Sequence, residues 1–235
     1  MLRVNSIYPA FMGEVNPFGI GVPCTFVRLS GCNLRCYLST KGILCDTPEA
    51  LLETSGDMMS EEAILDRCHD NGYDVICLTG GEPLLQNITD FLHKATSHGF
   101  SVVIETNGSR PISPYIGISG VSFIVDRKGK SSGEHAKMCE DNYSLMGESD
   151  FLKFVIDTEE DYYEALDFYR SRYHSYNVAF GLFWGSQVTY QWLMKRMHAD
   201  KVRAYLNMQT HKMACLYDES KEKELFTDIK VPRNL

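Results

Sequence analysis

The chain alternates short apolar runs with longer stretches in which apolar residues recur every three or four positions. The apolar runs predict β-strands at residues 25–29, 74–79, 100–104, 121–125, 151–156, 178–181 and 202–206. The stretches with helical spacing predict α-helices at about residues 60–71, 86–98, 159–173 and 187–198. Ser60 followed by two glutamates is typical of a helix start, and Gly72 and Gly99 are typical of helix ends.

Short strands that alternate with amphipathic helices favour parallel β/α units. With about six such units, the sequence predicts an α/β fold, an open partial (β/α) barrel. The 235 residues, of which 44% are apolar, suffice for one core, and no long linker divides them, so we predict a single domain over residues 1–235. Because chemistry in β/α barrels occurs at the carboxyl ends of the strands, residues that follow strands are the first candidates for a site.

Charge and composition narrow the classes of partner. The formal net charge is −8 and the pI is about 5.4, whereas binding to nucleic-acid phosphates requires clustered Lys and Arg. No apolar run reaches the roughly 18 residues of a membrane span, and residues 1–10 do not resemble a signal peptide. We therefore expect a soluble, cytoplasmic protein that acts on a small molecule and binds neither nucleic acid nor membrane.

Three of the eight cysteines lie in one loop, between residues 31 and 47. Three residues separate Cys32 from Cys36, and eight separate Cys36 from Cys45. Three thiolates can hold an iron–sulfur cluster and leave one iron open for chemistry, whereas a structural zinc site requires four protein ligands. Spacing alone also leaves open that these are unrelated thiols in a reduced cytosol. The remaining cysteines are scattered, and we interpret them as small buried or neutral residues: Cys24, Cys68, Cys77, Cys139 and Cys215.

The residues around the three cysteines distinguish between these interpretations. Residues 28–36 (RLSGCNLRC), followed by residues 45–47 (CDT), resemble the cluster loop of radical S-adenosylmethionine enzymes and, more narrowly, that of the 7-carboxy-7-deazaguanine synthases. In that family the second and third cysteines usually lie closer together, so this loop carries six extra residues, and Leu44 replaces a usual aromatic residue. The resemblance implies that Cys32, Cys36 and Cys45 hold a 4Fe-4S cluster.

The segment before the cysteines also resembles these synthases, which carry a Gln-Gly-Glu-Gly loop, a Gly-x-Pro turn and a strand that ends in arginine. This chain retains Gly13, Glu14, Pro23 and Arg28, with Met12 and Val15 in place of the glutamine and the second glycine. The resemblance implies that Gly13, Glu14 and Arg28 contact the substrate.

Three later motifs resemble the cofactor site of the family. Residues 80–83 (GGEP) resemble the motif that hydrogen-bonds the amino group of S-adenosylmethionine, and residues 105–108 (ETNG) resemble the next strand end. Residues 126–133 resemble a Ser-Pro-Lys-x-x-Ser-Ser-Gly segment, with Asp126 and Arg127 in place of its first two residues. The resemblance implies that these residues bind the cofactor: Gly80, Gly81, Glu82, Glu105, Asn107 and Lys128.

Near the C-terminus, residues 209–212 (QTHK) resemble the family's Gln-x-His-Lys motif, which faces the substrate. The resemblance implies that Gln209 and His211 contact the substrate. The matched part of the chain thus extends from about residue 8 to residue 212, and residues 213–235 contain no recognisable motif.

The resemblance implies a carbon–nitrogen lyase. One electron from the cluster cleaves S-adenosylmethionine to methionine and a 5′-deoxyadenosyl radical, so no side chain is expected to act as the catalyst. The substrate would be 6-carboxy-5,6,7,8-tetrahydropterin, rearranged with loss of ammonia to 7-carboxy-7-deazaguanine on the route to queuosine. The family also implies Mg²⁺ bound through the hydroxyl of Thr47, a flavodoxin- or ferredoxin-like electron donor, and a homodimer.

Two alternatives stay open. A glycyl-radical-enzyme activase shares the cluster loop but does not usually carry the other motifs. A non-catalytic metal-binding protein would retain the cysteines around a cluster site that the extra residues have made degenerate. Iron and sulfide content after anaerobic reconstitution separates the non-catalytic protein from both enzymes.

Overall fold

The computed structural model of the protein describes residues 1–42, 45, 47–172 and 174–210. Its strands are β1 (Leu2–Phe11), β2 (Pro23–Leu29), β3 (Asp57–Met59), β4 (Val75–Gly80), β5 (Ser101–Thr106), β6 (Val121–Lys128), β7 (Phe151–Ile156), β8 (Asn177–Leu182) and β9 (Tyr205–Asn207). Its helices are α1 (Leu38–Lys41), α2 (Glu61–Asn71), α3 (Thr89–Ser97), α4 (Asn142–Leu145), α5 (Glu159–Arg170) and α6 (Tyr190–Ala199). Single 3-10 turns occur at Pro48–Ala50, Pro83–Leu85, Ser113–Tyr115, Lys130–Ser132 and His135–Lys137. In this described part of the chain, no helix has the length and apolar character needed to cross a bilayer.

The nine strands form one sheet in the order β3-β1-β2-β4-β5-β6-β7-β8-β9. β1 is antiparallel to β2 and β3, and from β2 onward every neighbouring pair is parallel. Within the described residues the edge strands β3 and β9 do not pair with each other, so the sheet is open. The predicted open, partial (β/α) architecture is confirmed, with an antiparallel hairpin added at its start.

Side-chain caps set the starts of three helices. Ser60 and Thr189 each accept a hydrogen bond from the backbone N–H three residues later, at the starts of α2 and α6. Thr158 and Asp161 form a reciprocal capping box at the start of α5. These caps satisfy N–H groups that have no partner inside the helix, and they explain why the helix starts near 60 and 159 could be predicted.

The two faces of the sheet bury different apolar clusters. The outer cluster joins strand residues such as Val27 and Leu78 to helix residues such as Ile64, Phe91 and Tyr162. A smaller inner cluster lies towards the amino-terminal ends of the parallel strands and includes Cys24, Cys77, Val103, Ile124, Phe151 and Ala179. Parallel sheets require burial on both faces, and here the inner cluster forms the floor of the partial barrel.

The structure departs from the predicted elements in several places. The apolar pattern did not predict β1, in which polar residues interrupt the apolar ones, or the three-residue β3. β6 extends to Lys128, so the segment predicted to follow this strand lies partly within it. β9 begins at Tyr205 rather than at residue 202, and α5 ends at Arg170 rather than near 173.

The start of α3 shows why one boundary was missed. The helix begins at Thr89 rather than near residue 86, because Gln86 is extended after a 3-10 turn. The Gln86 side chain accepts a hydrogen bond from Arg3 N at 2.8 Å and donates to the carbonyl oxygens of Arg3 and Ser30, each at 3.1 Å. These long-range bonds hold Gln86 out of the helix that its local sequence favours.

Candidate active site

A cavity of about 520 Å³ opens at the carboxyl ends of the parallel strands. Thirteen of the fifteen predicted site residues line it: Gly13, Glu14, Arg28, Cys32, Cys36, Cys45, Thr47, Gly80, Gly81, Glu105, Asn107, Lys128 and Gln209. Of the other two, Glu82 is buried behind the wall and His211 lies outside the described residues. The fold thus gathers segments that are far apart in the sequence at the predicted end of the sheet.

Strand periodicity explains this concentration of polar groups. Side chains two positions apart in a strand point to the same face. In β5 the inward residue Val103 belongs to the inner apolar cluster, and Glu105 lines the cavity. In β6, Ile124 belongs to the cluster, whereas Asp126 and Lys128 line the cavity. The same change from inner-cluster residues to cavity-lining residues occurs along β2, β4 and β7. The partial barrel therefore has an apolar floor and a polar mouth.

One side of the cavity, the cysteine side, carries Cys32, Cys36 and Cys45. The Cys32 sulfur accepts hydrogen bonds from Leu34 N at 3.4 Å and from the side-chain amide of Asn107 at 3.6 Å. Burial raises the pKa of the Cys32 and Cys36 thiols, and the positive charge of Lys128 lowers it. N–H donors and a nearby cation are the surroundings that stabilise iron-binding thiolates.

The donor set is compatible with an iron–sulfur cluster. Among the described residues, no three His, Cys, Asp or Glu side chains converge closely enough to hold one ion, as a zinc site would require. A 4Fe-4S cluster is larger, and each iron takes one thiolate, so three sulfurs need only border a common space. The three loop thiols do border one cavity. The other cysteines of the described residues do not line it: Cys24, Cys68 and Cys77 are buried, and Cys139 is partly exposed. Cys215 lies outside the described residues.

The glycine turn after β4 packs on the backbone that leads into the cysteine loop. Gly81 N donates to Leu29 O at 3.0 Å, and the next N–H donates to Gly31 O at 2.8 Å. A Cβ at Gly80 would lie 2.1 Å from the Leu29 carbonyl oxygen, and one at Gly81 would lie 2.2 Å from that of Gly31. Close backbone packing therefore requires both glycines, and a larger residue would disturb the fold before it obstructed a cofactor.

Glu82 lies behind the cavity wall and is not part of the lining. Its carboxylate is fully buried and accepts hydrogen bonds from Leu84 N at 3.0 Å, Thr106 Oγ1 at 2.8 Å and Asn107 N at 2.7 Å. Burial raises the pKa of Glu82 to about 7, against the effect of these donors. The carboxylate joins the turn after β4 to the end of β5, and so positions Asn107. The cofactor contact predicted for Glu82 stays a prediction.

A second side of the cavity, the charged side, is built from ion pairs. Lys153, in β7, pairs with Glu14 and with Asp126 Oδ1, the latter at 3.0 Å. Asp126 Oδ2 also accepts from Lys128 Nζ at 2.6 Å, and Gln209 donates to Glu14 Oε1 at 2.7 Å. Burial lowers the pKa of Lys153, but the carboxylates of Asp126 and Glu14 raise it well above its usual value. One charged network thus joins the N-terminal loop, β6, β7 and the end of β9.

Arg28 and Glu105 reach the cavity from β2 and β5, which flank β4. The Arg28 guanidinium donates to Tyr8 Oη at 3.1 Å. Thr79 Oγ1 donates to Glu105 Oε2 at 3.1 Å. Burial and the negative charge of Glu14 raise the pKa of Glu105. A cation and a weakly acidic carboxyl therefore lie on neighbouring parts of the same wall.

The N-terminal loop and the last strand hold each other in place. Val15 N donates to Asn207 Oδ1 at 2.9 Å, and the Asn207 amide donates to Glu14 Oε2 at 3.3 Å. Thr210 N donates to Gly13 O at 2.9 Å. The predicted substrate loop is thereby fixed to the segment that carries the C-terminal motif.

Thr47 lines the cavity at the start of the turn Pro48–Ala50, which its hydroxyl does not cap. Its role as a Mg²⁺ ligand stays a prediction.

Sequence analysis did not identify Lys153, although a signal was present. A single lysine interrupts the apolar run FLKFVI, and a charged residue in a buried strand must be paired. Its partner Glu14 is 139 positions away, so the sequence did not indicate where the pair forms. Asp126 was noted only as a departure from the family pattern, but it pairs with two lysines.

Comparison with known proteins finds relatives that share one name. Proteins named 7-carboxy-7-deazaguanine synthase are similar to this chain: that of Koribacter versatilis is 35% identical over 174 residues, covering 72% of this chain and 71% of its own. That of Chlorobaculum tepidum is 32% identical, covering 90% of this chain and 93% of its own. That of Methanospirillum hungatei is 30% identical, covering 90% and 84%.

A solved structure supports the fold. The crystal structure of QueE from Escherichia coli matches with a TM-score of 0.65 and 20% sequence identity, covering 88% of this chain and 93% of that chain. At this identity the match supports the architecture alone. No protein-family model matches the chain.

Proposed function

The chain belongs to the 7-carboxy-7-deazaguanine synthases, radical S-adenosylmethionine enzymes of deazapurine biosynthesis, and on that premise we propose how its residues divide the work. The reaction is the conversion of 6-carboxy-5,6,7,8-tetrahydropterin to 7-carboxy-7-deazaguanine with loss of ammonia. The observation that carries the proposal is that the same cavity is lined by three thiols and by a charged network. A radical source and its target must share one space from which water is excluded.

The cysteine side is the proposed cofactor side. Cys32, Cys36 and Cys45 hold the 4Fe-4S cluster, whose chemistry with S-adenosylmethionine supplies a radical that removes a hydrogen atom from the substrate. Asn107 orients Cys32 through the hydrogen bond to its sulfur. The backbone of the turn after β4 binds the cofactor's amino group, and Lys128 attracts its carboxylate as a point charge.

The charged side is the proposed substrate side. A carboxylated pterin presents one carboxylate and several ring N–H groups. Arg28 and Lys153 are cations suited to the carboxylate, and Glu14 is an acceptor suited to the ring N–H groups. Gln209 holds Glu14 in position through the 2.7 Å hydrogen bond to Oε1. His211 lies outside the described residues, and its substrate contact is proposed from the motif alone. The apolar floor excludes water from the bottom of the cavity.

Mg²⁺ at Thr47 is the narrowest part of the proposal. A hydroxyl that lines the cavity could complete an oxygen-rich site with the substrate carboxylate and water, as a hard cation prefers. Product formation should rise with added Mg²⁺ in the native enzyme and should not rise in Thr47→Val, whose cluster and cofactor binding are unchanged. Equal stimulation of the two proteins would remove Thr47 from the metal site.

The compartment and the remaining partners are proposed on different grounds. Cluster thiolates persist in a reducing compartment, which supports a cytoplasmic location. The flavodoxin- or ferredoxin-like electron donor is proposed from the family. A homodimer is proposed from the family alone, and light scattering of the purified protein tests it.

The function is tested by product analysis after anaerobic reconstitution. With S-adenosylmethionine, a reductant and the carboxytetrahydropterin, the protein should form 7-carboxy-7-deazaguanine and equimolar ammonia, detected by mass spectrometry. Cleavage of S-adenosylmethionine without this product would favour a glycyl-radical-enzyme activase. Absence of iron and sulfide after reconstitution would favour the non-catalytic metal-binding alternative.

A further inference from the structure

Residues 37–42, which follow Cys36 in the long spacer before Cys45, form a capped helical turn. Tyr37 adopts a left-handed conformation at φ 63° and opens the helical turn α1, and Gly42 closes the turn at φ 67°. A left-handed tyrosine is strained, so its surroundings must hold it. Tyr37 is also almost fully buried, with 2% of its surface exposed.

α1 is bonded to the 3-10 turn Lys130–Ser132 that follows β6. Tyr37 N donates to the carbonyl oxygen of Ser132 at 2.8 Å, and Thr40 Oγ1 donates to that of Ser131 at 2.6 Å. The spacer is therefore docked on the body of the protein at both ends of its helical turn.

Lys41, the last residue of α1, makes the most buried contact. Its Nζ lies 2.5 Å from Asp157 Oδ1, and the two side chains are 20% and 0% exposed. Nζ also lies 5.5 Å and 5.4 Å from the ring centroids of Tyr37 and Phe183, which stack at 3.8 Å. Both rings line the cavity, so the ion pair lies directly behind the cavity wall.

Asp161 joins the two surfaces that receive α1. Its carboxylate accepts hydrogen bonds from Ser131 N at 3.1 Å and from Asp157 N at 3.0 Å. The Ser131 carbonyl oxygen accepts the hydrogen bond from Thr40, and Asp157 forms the ion pair with Lys41. We call this receiving surface, formed by Ser131, Asp157 and Asp161, the platform.

We propose that Lys41 and Asp157 are a positioning pair for the iron–sulfur cluster: they fix α1 on the platform and thereby fix Cys36, which directly precedes Tyr37. The inference rests on the proposed function, because it takes Cys36 as a cluster ligand. Asp157 Oδ2 is buried with no hydrogen-bond partner among the described residues. Asp157 Oδ1 also accepts a hydrogen bond from Gln187 N at 3.0 Å. Removal of the Lys41 charge would therefore leave a buried carboxylate that retains this neutral donor but has lost its cation, a cost that is relieved if α1 moves and admits water.

The test compares iron release from the reconstituted enzyme to a ferrous chelator. Lys41→Met should lose iron about tenfold faster than the native enzyme, in the range found for residues that support metal ligands. Lys41→Arg, which retains the charge, should stay within about twofold. The matched control is Lys130→Met, which removes an exposed ion pair with Glu164 beside the same platform and should also stay within about twofold.

A spectroscopic measurement separates positioning from general stability. The electron paramagnetic resonance signal of the reduced cluster should change shape in Lys41→Met and not in the other two variants. If Lys41→Met does not fold, Lys41→Gln, which is also neutral, carries the same comparison, and thermal unfolding of each protein checks its fold.

The outcomes are distinguishable. Iron release from the neutral variant at the native rate would overturn the positioning pair, and so would equal acceleration in Lys130→Met. A native protein that takes up no cluster would overturn the proposed function itself. If the native protein and Lys41→Met both retain their clusters equally well, the positioning pair alone would be overturned.

Discussion

The two sides of the cavity are constructed in different ways. The cysteine side is held by backbone contacts, such as those of Gly81 with the segment around Leu29 and Gly31. The charged side is held by side-chain ion pairs from separate elements, with Lys153 between Glu14 and Asp126. Backbone contact requires glycine at fixed positions, which is visible as a motif, whereas Lys153 pairs with residues far away in the sequence and belongs to no motif. A motif thus marks where backbone geometry is constrained, not where all of the chemistry lies.

Loss of a cysteine should produce the largest effect, on the cysteine side. Cys36→Ala or Cys45→Ala should abolish both the absorbance of the reconstituted cluster and cleavage of S-adenosylmethionine, because two thiolates do not hold the cluster. Cys68→Ala is the matched control, since Cys68 lies in the outer apolar cluster and its replacement should retain both properties. An active Cys45→Ala enzyme would require another third ligand.

Lys153→Met should break the charged side. It leaves the buried carboxylate of Glu14 and the partly buried carboxylate of Asp126 without their shared cation, so kcat/KM for the pterin should fall about 100-fold or more. Cleavage of S-adenosylmethionine without substrate should stay within about threefold, because the cysteine side is intact. Lys94→Met, which removes an exposed ion pair with Glu62, should leave both activities unchanged. Equal loss of the two activities in Lys153→Met would show that the sides are not separate.

Gly81→Ala tests the backbone contact on the cysteine side. Its Cβ would lie 2.2 Å from Gly31 O and 2.5 Å from Ala50 O, so the free energy of unfolding should fall by about 3 kcal/mol. Gly147→Ala is the control, because no atom lies within 4 Å of its Cβ position, and it should change stability by less than about 0.5 kcal/mol. Urea unfolding of the two variants measures the difference. Equal stability would contradict the close packing.

Glu82→Gln should give the smallest effect. The carboxylate accepts hydrogen bonds from two backbone N–H groups, one on each oxygen, and the NH₂ of the glutamine would face one of these donors. The free energy of unfolding should fall by about 1–2 kcal/mol. Because burial raises the pKa of Glu82 from 4.5 to about 7, its native stability contribution falls as pH rises through that range. The stability difference between native protein and variant should therefore be larger near pH 5 than near pH 8. A difference that grows with pH would show that the three donors outweigh burial.

The sequence could predict the fold and most of the cavity lining because both depend on local patterns. Apolar periodicity indicates strands, and in a parallel sheet the residues after the strands meet at one edge. Residues as distant as Gly13, Glu105 and Gln209 were assigned to one site because their motifs resemble those of one family, and all three line the same cavity. The roles assigned to these residues, the single domain, the dimer and the electron donor stay predictions.

The remaining features depend on contacts between distant residues. The late start of α3 follows from the bonds of Gln86 to Arg3 and Ser30, and the ion pair of Lys153 with Glu14 spans 139 positions. The motif indicates that Glu82 lies near the cofactor, but it does not indicate that the carboxylate is buried and accepts three hydrogen bonds. A local pattern shows neither the contacts between distant residues nor the burial of a side chain.

The separation of a cofactor side from a substrate side is tested most directly with Arg28→Ala. Arg28 lines the cavity, and its guanidinium donates a hydrogen bond to Tyr8 Oη. Two rates are measured for the native enzyme and the variant: cleavage of S-adenosylmethionine without pterin, and formation of 7-carboxy-7-deazaguanine with it. The account predicts that the first rate stays within about threefold while the second falls at least about 100-fold. A parallel fall of both rates, or an unchanged rate of product formation, would contradict it.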